Sequence, residues 1–340
     1  MTTRAIVVTG AGGVGKTTVA AAIAISHARS GRRTLVLTVD PARRLADALG
    51  LELGSEPIQV PAESLLWGAM IDAAGSWQAV ARKHADPAVA ERLVTSEFFQ
   101  AATVHFPASQ SYAAAEEATN YLDSGHWDVV VVDTPPAAGG IDFFSAPSQM
   151  TDLVGGRLLR LITGGRLPGR KLLFNRGARP LLRFADQILG SDLLERVAQF
   201  LMDLRTTYDG VRRRAQVIEA HFRKATTLIV TTADPAPLAE AGRFFRELPE
   251  VAASPTLVVF NRSLPLRWAT TPVPPRTNVA LTENLHRWGA EAQRQADARL
   301  EFSSRYPIPL ATIPWQAQAP TDVEALGRLF EEAENWPEEI

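Results

Sequence analysis

The sequence predicts an α/β fold: a doubly wound, mostly parallel sheet with a helical subdomain inserted into it. Three observations carry that prediction. Short apolar runs of strand composition alternate with helix patterns along the chain. A glycine-rich turn, Gly10 to Thr18, joins the first run to the first helix. Between Ser145 and Lys224 no strand pattern occurs, which leaves room for a helical unit inside the α/β frame. The implied division is 1–144 for the first part of the core, 145–224 for the insert and 225–340 for the second part.

Taken in order, residues 4 to 9 hold Ala5-Ile6-Val7-Val8 between Arg4 and Thr9 and read as a short buried strand. Lys16 to about Ser30 is an alanine-rich helix, and Gly31 stops it. Further strands are expected at Thr34 to Val39 and Leu66 to Ile71. Asp128 to Asp133 contains four consecutive valines, the composition of a parallel strand covered on both faces. Strand patterns return near Thr226 to Thr231, Thr256 to Asn261 and Leu310 to Ile313. In such a sheet the ligand is expected at the carboxyl ends of the strands.

The second half of the insert is helical by its spacing. Leu193, Val197, Phe200, Leu204, Tyr208, Val211, Ala215, Ile218 and Phe222 recur at steps of three or four and form one apolar stripe. Its first half is basic. Arg157, Arg160, Arg166, Arg170, Lys171, Arg176, Arg179 and Arg183 face only Asp152 and Asp186, a surplus of six positive charges among leucines. That mixture fits a solvated face, and it equally fits an anionic membrane surface, a membrane protein or an acidic partner. Residues 264 to 277, with four prolines, are expected to be a loop.

Composition narrows the chemistry. The chain has 340 residues, 46% hydrophobic and 21% charged, with a formal net charge of -2, which does not suggest a nucleic-acid binder. Absence of cysteine excludes disulfides, cysteine-ligated zinc and thiolate nucleophiles. Six scattered histidines form no metal-like pair. A strand pattern begins by Arg4, and the most apolar stretches are too short to span a bilayer, so a cytoplasmic location is expected.

Gly10-Ala11-Gly12-Gly13-Val14-Gly15-Lys16-Thr17-Thr18 fits G-x-x-x-x-G-K-[ST], between a strand and a helix as its mechanism requires. Glycines let backbone N–H groups face phosphates, and the helix N-terminus adds its dipole. Lys16 is expected to reach the β and γ phosphates, and the Thr17 hydroxyl to ligate Mg²⁺. Asp133 ends the valine strand ahead of Thr134-Pro135-Pro136 and suits an outer-shell Mg²⁺ contact. Asp40 ends the second strand ahead of Pro41-Ala42-Arg43-Arg44-Leu45 and suits the metal or the attacking water. Taken singly, either aspartate also reads as a helix N-cap. Asn261-Arg262-Ser263-Leu264 lacks the aspartate that would read guanine, so adenine is favoured. Asn261 is expected to meet the base edge, with Pro314 and Trp315 as a second wall.

These segments resemble the ArsA-type ATPases, the family of arsenite-pump subunits and of targeting factors for tail-anchored membrane proteins. Gly10 to Thr18 is similar to its deviant P-loop, Asp40 to Leu45 to its first switch, Asp133 to Pro136 to its second, and Asn261-Arg262 to its adenine contact. A closer resemblance is to actinobacterial ArsA-like ATPase subunits. The resemblance implies Mg-ATP hydrolysis, Asp40 as the water-orienting residue and a dimer closing over the nucleotide. It also implies that Ala11 stands where the family usually has a lysine that reaches the partner's nucleotide. Either a lysine-bearing paralogue pairs with this chain, or Arg43 or Arg44 substitutes. Without cysteine, arsenite capture by thiolates and a zinc at the dimer seam are excluded. The insert offers only Met150 and Met202 for an adaptable client groove. The leading expectation is a dimeric ATPase switch acting on a client or membrane partner. A pump-energising subunit and a nucleotide-binding regulatory subunit with weak hydrolysis are the alternatives.

Overall fold

A computed structural model of the chain describes residues 3–40, 44–105, 107–135, 138–155, 196, 199–200, 202–204, 206–252 and 254–340. Pro41, Ala42, Arg43, Pro136, Leu193, Val197 and the basic run from Arg157 to Arg183 lie outside these residues. The strands are β1 (Arg4–Gly10), β2 (Thr34–Thr38), β3 (Ile58–Gln59), β4 (Leu66–Met70), β5 (Val129–Asp133), β6 (Thr226–Thr231), β7 (Leu257–Ser263) and β8 (Leu310–Pro314). They form one sheet in the order β3-β4-β2-β5-β1-β6-β7-β8. Every described pairing is parallel except β3 on β4. β3 carried no sequence signal because both of its residues are exposed and two residues show no period.

The described helices are α1 (Lys16–Arg29), α2 (Arg44–Leu49), α3 (Ala73–His84), α4 (Pro87–Thr95), α5 (Glu97–His105), α6 (Pro107–Asp123), α7 (Ala138–Gly155), α8 (Tyr208–Lys224), α9 (Pro235–Val251), α10 (Arg267–Thr270), α11 (Val279–Arg305) and α12 (Val323–Gly327). None of them is long and apolar enough to cross a membrane. The expected loop at 264–277 contains the short helix α10, one turn whose sequence is too brief to show a period.

Strand alternation separates two cores. Leu228 and Val230 of β6 and Leu257 and Val259 of β7 join the α1 side, together with Ile6, Val8 and Val36. Their neighbours Ile229, Val258 and Phe260 point the other way, onto Phe244 of α9 and Phe302 of α11. Because both faces are covered, the strands read as continuous apolar runs and not as alternations. Truncating a side chain such as Phe260, which is fully buried, costs about 3–5 kcal/mol. Alanines at 20, 21, 22 and 24 let α1 sit close to the sheet while Leu326 of α12 packs in the same core.

His27, in the last turn of α1, is 5% exposed and its Nε2 has no hydrogen-bond partner. Burial first, then the charges of Arg32 and Arg4, push its pKa down from 6.5 to about 4. The unfolded chain therefore takes up a proton before the folded chain does as pH falls. Stability is complete above the ordinary imidazole pKa and declines from there toward about pH 4. We expect this group to cost roughly 3 kcal/mol over that window. Urea unfolding of His27→Leu should show a correspondingly shallower acid slope, and an unchanged slope would refute the assignment.

Contacts divide the described chain into two units. One comprises Met1–Asp72, Glu117–Phe144 and Ala220–Ile340, and holds the whole sheet. The other groups Ala73–Glu116 with Ser145–Glu219. The helices between 73 and 116 thus associate with the segment that the sequence marks as an insert. Within this unit the carboxylate of Glu116, 3% exposed, accepts from Arg214 at 2.6 Å and faces Lys83 at 3.5 Å. Trp77 stacks on Tyr112 beside it. Val211, Ala215 and Ile218 of the helical stripe are buried.

Candidate functional site: the loop between β1 and α1

The loop from Gly10 to Gly15 leaves the central strand at its carboxyl end, flanked by β5 and β6. Its backbone admits only glycine at two places that matter. Gly10 has φ 145°, and a Cβ there would drive into the carbonyl of Val230. Gly15 has φ 96°, and a Cβ there would strike the side-chain amide of Asn261. Gly15 caps α1 without any side-chain hydrogen bond, so the first N–H groups of the helix are left to an external acceptor.

Lys16, 7% exposed, donates from Nζ to the Ala11 carbonyl at 2.9 Å. Burial lowers its pKa, and the charges of Asp133 and Asp40 partly offset that. Asp133 is fully buried at the end of β5. Its Oδ2 accepts from the hydroxyls of Thr17 at 2.7 Å and Thr38 at 3.1 Å, while Oδ1 has no partner. Burial raises its pKa from 3.8 to about 6, against the Thr17 bond and the Lys16 charge. The Asp40 N–H donates to the Thr38 hydroxyl at 3.2 Å, so one threonine joins the segment after β2 to the end of β5. The Asp40 carboxylate lies 3.5 Å from Nη1 of Arg44.

A cavity of about 380 Å³ opens onto these groups, within the range of small-molecule sites. Gly13, Gly15, Lys16, Thr17, Thr18, Asp40, Arg44 and Arg262 line it, joined by Asp47, Ala48, Thr134, Pro320 and Thr321. Gly12 is exposed, whereas Ala11 and Val14 are buried and meet the protein through their carbonyls.

The chemistry of this donor set can be tested against a triphosphate with a divalent cation. Burial disfavours the charged forms of both Lys16 and Asp133. A phosphate beside Lys16 and a cation beside the orphaned Oδ1 of Asp133 would each supply the missing counter-charge. The residues present fit that pair of ligands.

A profile of the anion-transporting ATPase family, the ArsA ATPases, matches residues 3–272. The chain belongs to that family. Among relatives of this ArsA-family chain, a putative arsenical pump-driving ATPase of Prosthecochloris vibrioformis is 30% identical over 150 residues, 44% of this chain and 36% of that protein. ATPase GET3 of Malassezia globosa is 26% identical over 258 residues, 75% of this chain and 71% of that protein. An uncharacterized protein of Streptomyces coelicolor is 36% identical over 155 residues, covering 43% and 38%. The match spans only 36% and 24% of the Prosthecochloris and Halobacterium salinarum arsenical-pump relatives.

In the ArsA-family chain, Asn261 is turned onto the phosphate loop. Its Nδ2 donates to the Val14 carbonyl at 2.8 Å and its Oδ1 accepts the Arg262 N–H at 2.9 Å. The second bond helps hold Arg262 at φ 54°, a left-handed conformation that a non-glycine residue adopts at a cost of roughly 1 kcal/mol. Trp315 stands elsewhere. Its N–H extends the β7–β8 ladder to Ser263 at 2.9 Å, and its ring lies 6.3 Å from Trp268 in a second cavity. Pro314 ends β8 opposite Ser263. In place of these two, Pro320 and Thr321 line the cavity. Thr38, Pro320 and Thr321 escaped sequence reasoning because a lone threonine or proline carries no spacing pattern. Their relevance comes only from the fold bringing them together.

Proposed function

We propose that this chain binds Mg-ATP at the β1–α1 loop and hydrolyses it, using the bound state to switch the segments after β2 and β5. The single observation carrying this reading is the cluster of Lys16, Thr17 and Asp40 around one cavity, with Asp133 buried behind the Thr17 hydroxyl and Thr38 bridging the two aspartates. The loop amides and Lys16 bind the phosphates, and Arg262, Pro320 and Thr321 border the remainder of the nucleotide. Thr17 and Asp133 would hold Mg²⁺, the aspartate through water, and the metal would neutralise charge on the phosphate oxygens. Asp40 orients and accepts a proton from the attacking water. Asn261 acts as a positioning residue for the loop. In a dimer, which the family resemblance supports, the helical unit would carry the change to a client or membrane partner in the cytoplasm.

Calorimetric titration with Mg-ATP and Mg-GTP, together with phosphate release, tests this reading. Saturable heat and phosphate release with ATP are expected, with GTP much weaker, and silence with both nucleotides would end it.

Ala11 favours a second reading, a regulatory subunit with weak hydrolysis, since position 11 supplies no cation. Arg44 lines the cavity 3.5 Å from Asp40 and is placed to substitute. If it does, Arg44→Ala should slow turnover by about 10² to 10³-fold with ADP affinity unchanged. Full activity in that variant would return the missing charge to Arg43 or to a lysine-bearing paralogue.

A further inference from the structure

A second cavity shares no lining residue with the one at the β1–α1 loop. It lies beyond the ends of β7 and β8, between α10 and the first half of α11, and holds about 1040 Å³. We propose that it binds a small anionic amphiphile, an acyl or aryl carboxylate.

Three indoles form its walls. Trp268 meets Trp288 edge-on with centroids 6.2 Å apart and Trp315 at 6.3 Å. Trp288 is 53% exposed, Trp315 45% and Leu285 40%, so the apolar lining is open to water. An apolar surface of this kind marks a site that something covers. The walls are held in place and not free to collapse. Gly289 lets α10 press onto α11, since a Cβ there would lie 2.8 Å from the Trp268 carbonyl. Asn278 caps α11 by accepting the Leu281 N–H at 2.8 Å, which fixes the start of the helix carrying Leu285 and Trp288.

Charge selects the occupant. Arg267 and His286 are the titratable side chains of the lining, and no carboxylate shares it. The Arg267 guanidinium makes no ion pair or hydrogen bond with any described residue. Three indole faces would otherwise invite a quaternary ammonium. Arg267 opposes that and supplies a counter-ion for a carboxylate. Apolar bulk against tryptophan and one negative charge toward Arg267 together define an amphiphile.

Tryptophan fluorescence of the full chain, titrated below micelle formation with dodecanoate, dodecanol and dodecyltrimethylammonium, tests this. Dodecanoate should give a saturable change and bind about fivefold tighter than dodecanol, the upper end for an ion pair open to water. Arg267→Gln should erase that preference, and Trp288→Ala should weaken both ligands. Circular dichroism should show both variants folded. No saturable change with dodecanoate, equal or tighter binding of the ammonium, or a preference that survives Arg267→Gln would each overturn the proposal. So would sedimentation showing that the wild type self-associates through this face and that Trp288→Ala makes it monomeric. Because no nucleotide enters the assay, the outcome is independent of the reading of the phosphate loop.

Discussion

Lys16→Ala should lower ATP turnover by about 10³-fold or more while leaving the chain folded. Lys16 lies almost out of water, and its one described hydrogen bond goes to a carbonyl of its own loop. Burying an ammonium against a carbonyl is unfavourable for the empty protein, as its lowered pKa records. The residue therefore contributes little to folding, and a phosphate would complete the counter-charge that Asp133 and Asp40 supply only in part. Removing it should leave the unfolding midpoint within a few degrees of wild type. Calorimetry should register a large loss of Mg-ATP affinity in the same protein. Lys16→Arg should not rescue, because a planar fork cannot occupy the slot of a compact ammonium inside a glycine-walled loop. A Lys16→Ala protein that turns over ATP normally would remove the basis for the functional reading.

Asp40→Asn should separate binding from hydrolysis. The Asp40 carboxylate reaches the cavity beside Arg44, and its N–H is fixed by Thr38. Asparagine keeps the shape and that backbone bond and loses the ability to accept a proton from water. Single-turnover hydrolysis should fall by about 10² to 10⁴-fold, the usual contribution of a general base, with nucleotide affinity held within a few-fold. A pure nucleotide-binding subunit would show the same slow rate for both proteins. The variant should also accumulate the ATP-bound form, so a partner that recognises that form should co-purify with it in ATP.

Some of this molecule was written locally. The strands around Ile6, Val36 and Val131 announce themselves because burial on both faces demands an unbroken apolar run. The phosphate loop is equally plain, since strand, glycines, lysine and threonine are contiguous and each has a steric or electrostatic reason for its place. Asp133 closes β5 and Asp40 lies two residues past the end of β2, and both could be picked out because strand ends are where such a sheet gathers its chemistry.

Other features depended on partners distant in sequence. Whether residues 73–116 group with the sheet or with the segment beyond 145 depends on which helix faces meet, and an amphipathic pattern does not name its partner. Trp315 illustrates the same limit. Its position after β8 suggested a wall for the base, but one more ladder hydrogen bond carries its ring to Trp268. Thr38 needed β2 beside β5 before its hydroxyl could reach Asp133, and Pro320 and Thr321 needed the turn before α12 to come back over the loop. The sequence alone determined seven of the eight described strands, the phosphate loop and the residue types available for chemistry, because each of these is a short-range pattern with its own physical cause. Tertiary structure alone decided which side chains meet, since a contact between distant residues is settled by packing and leaves no period in the chain.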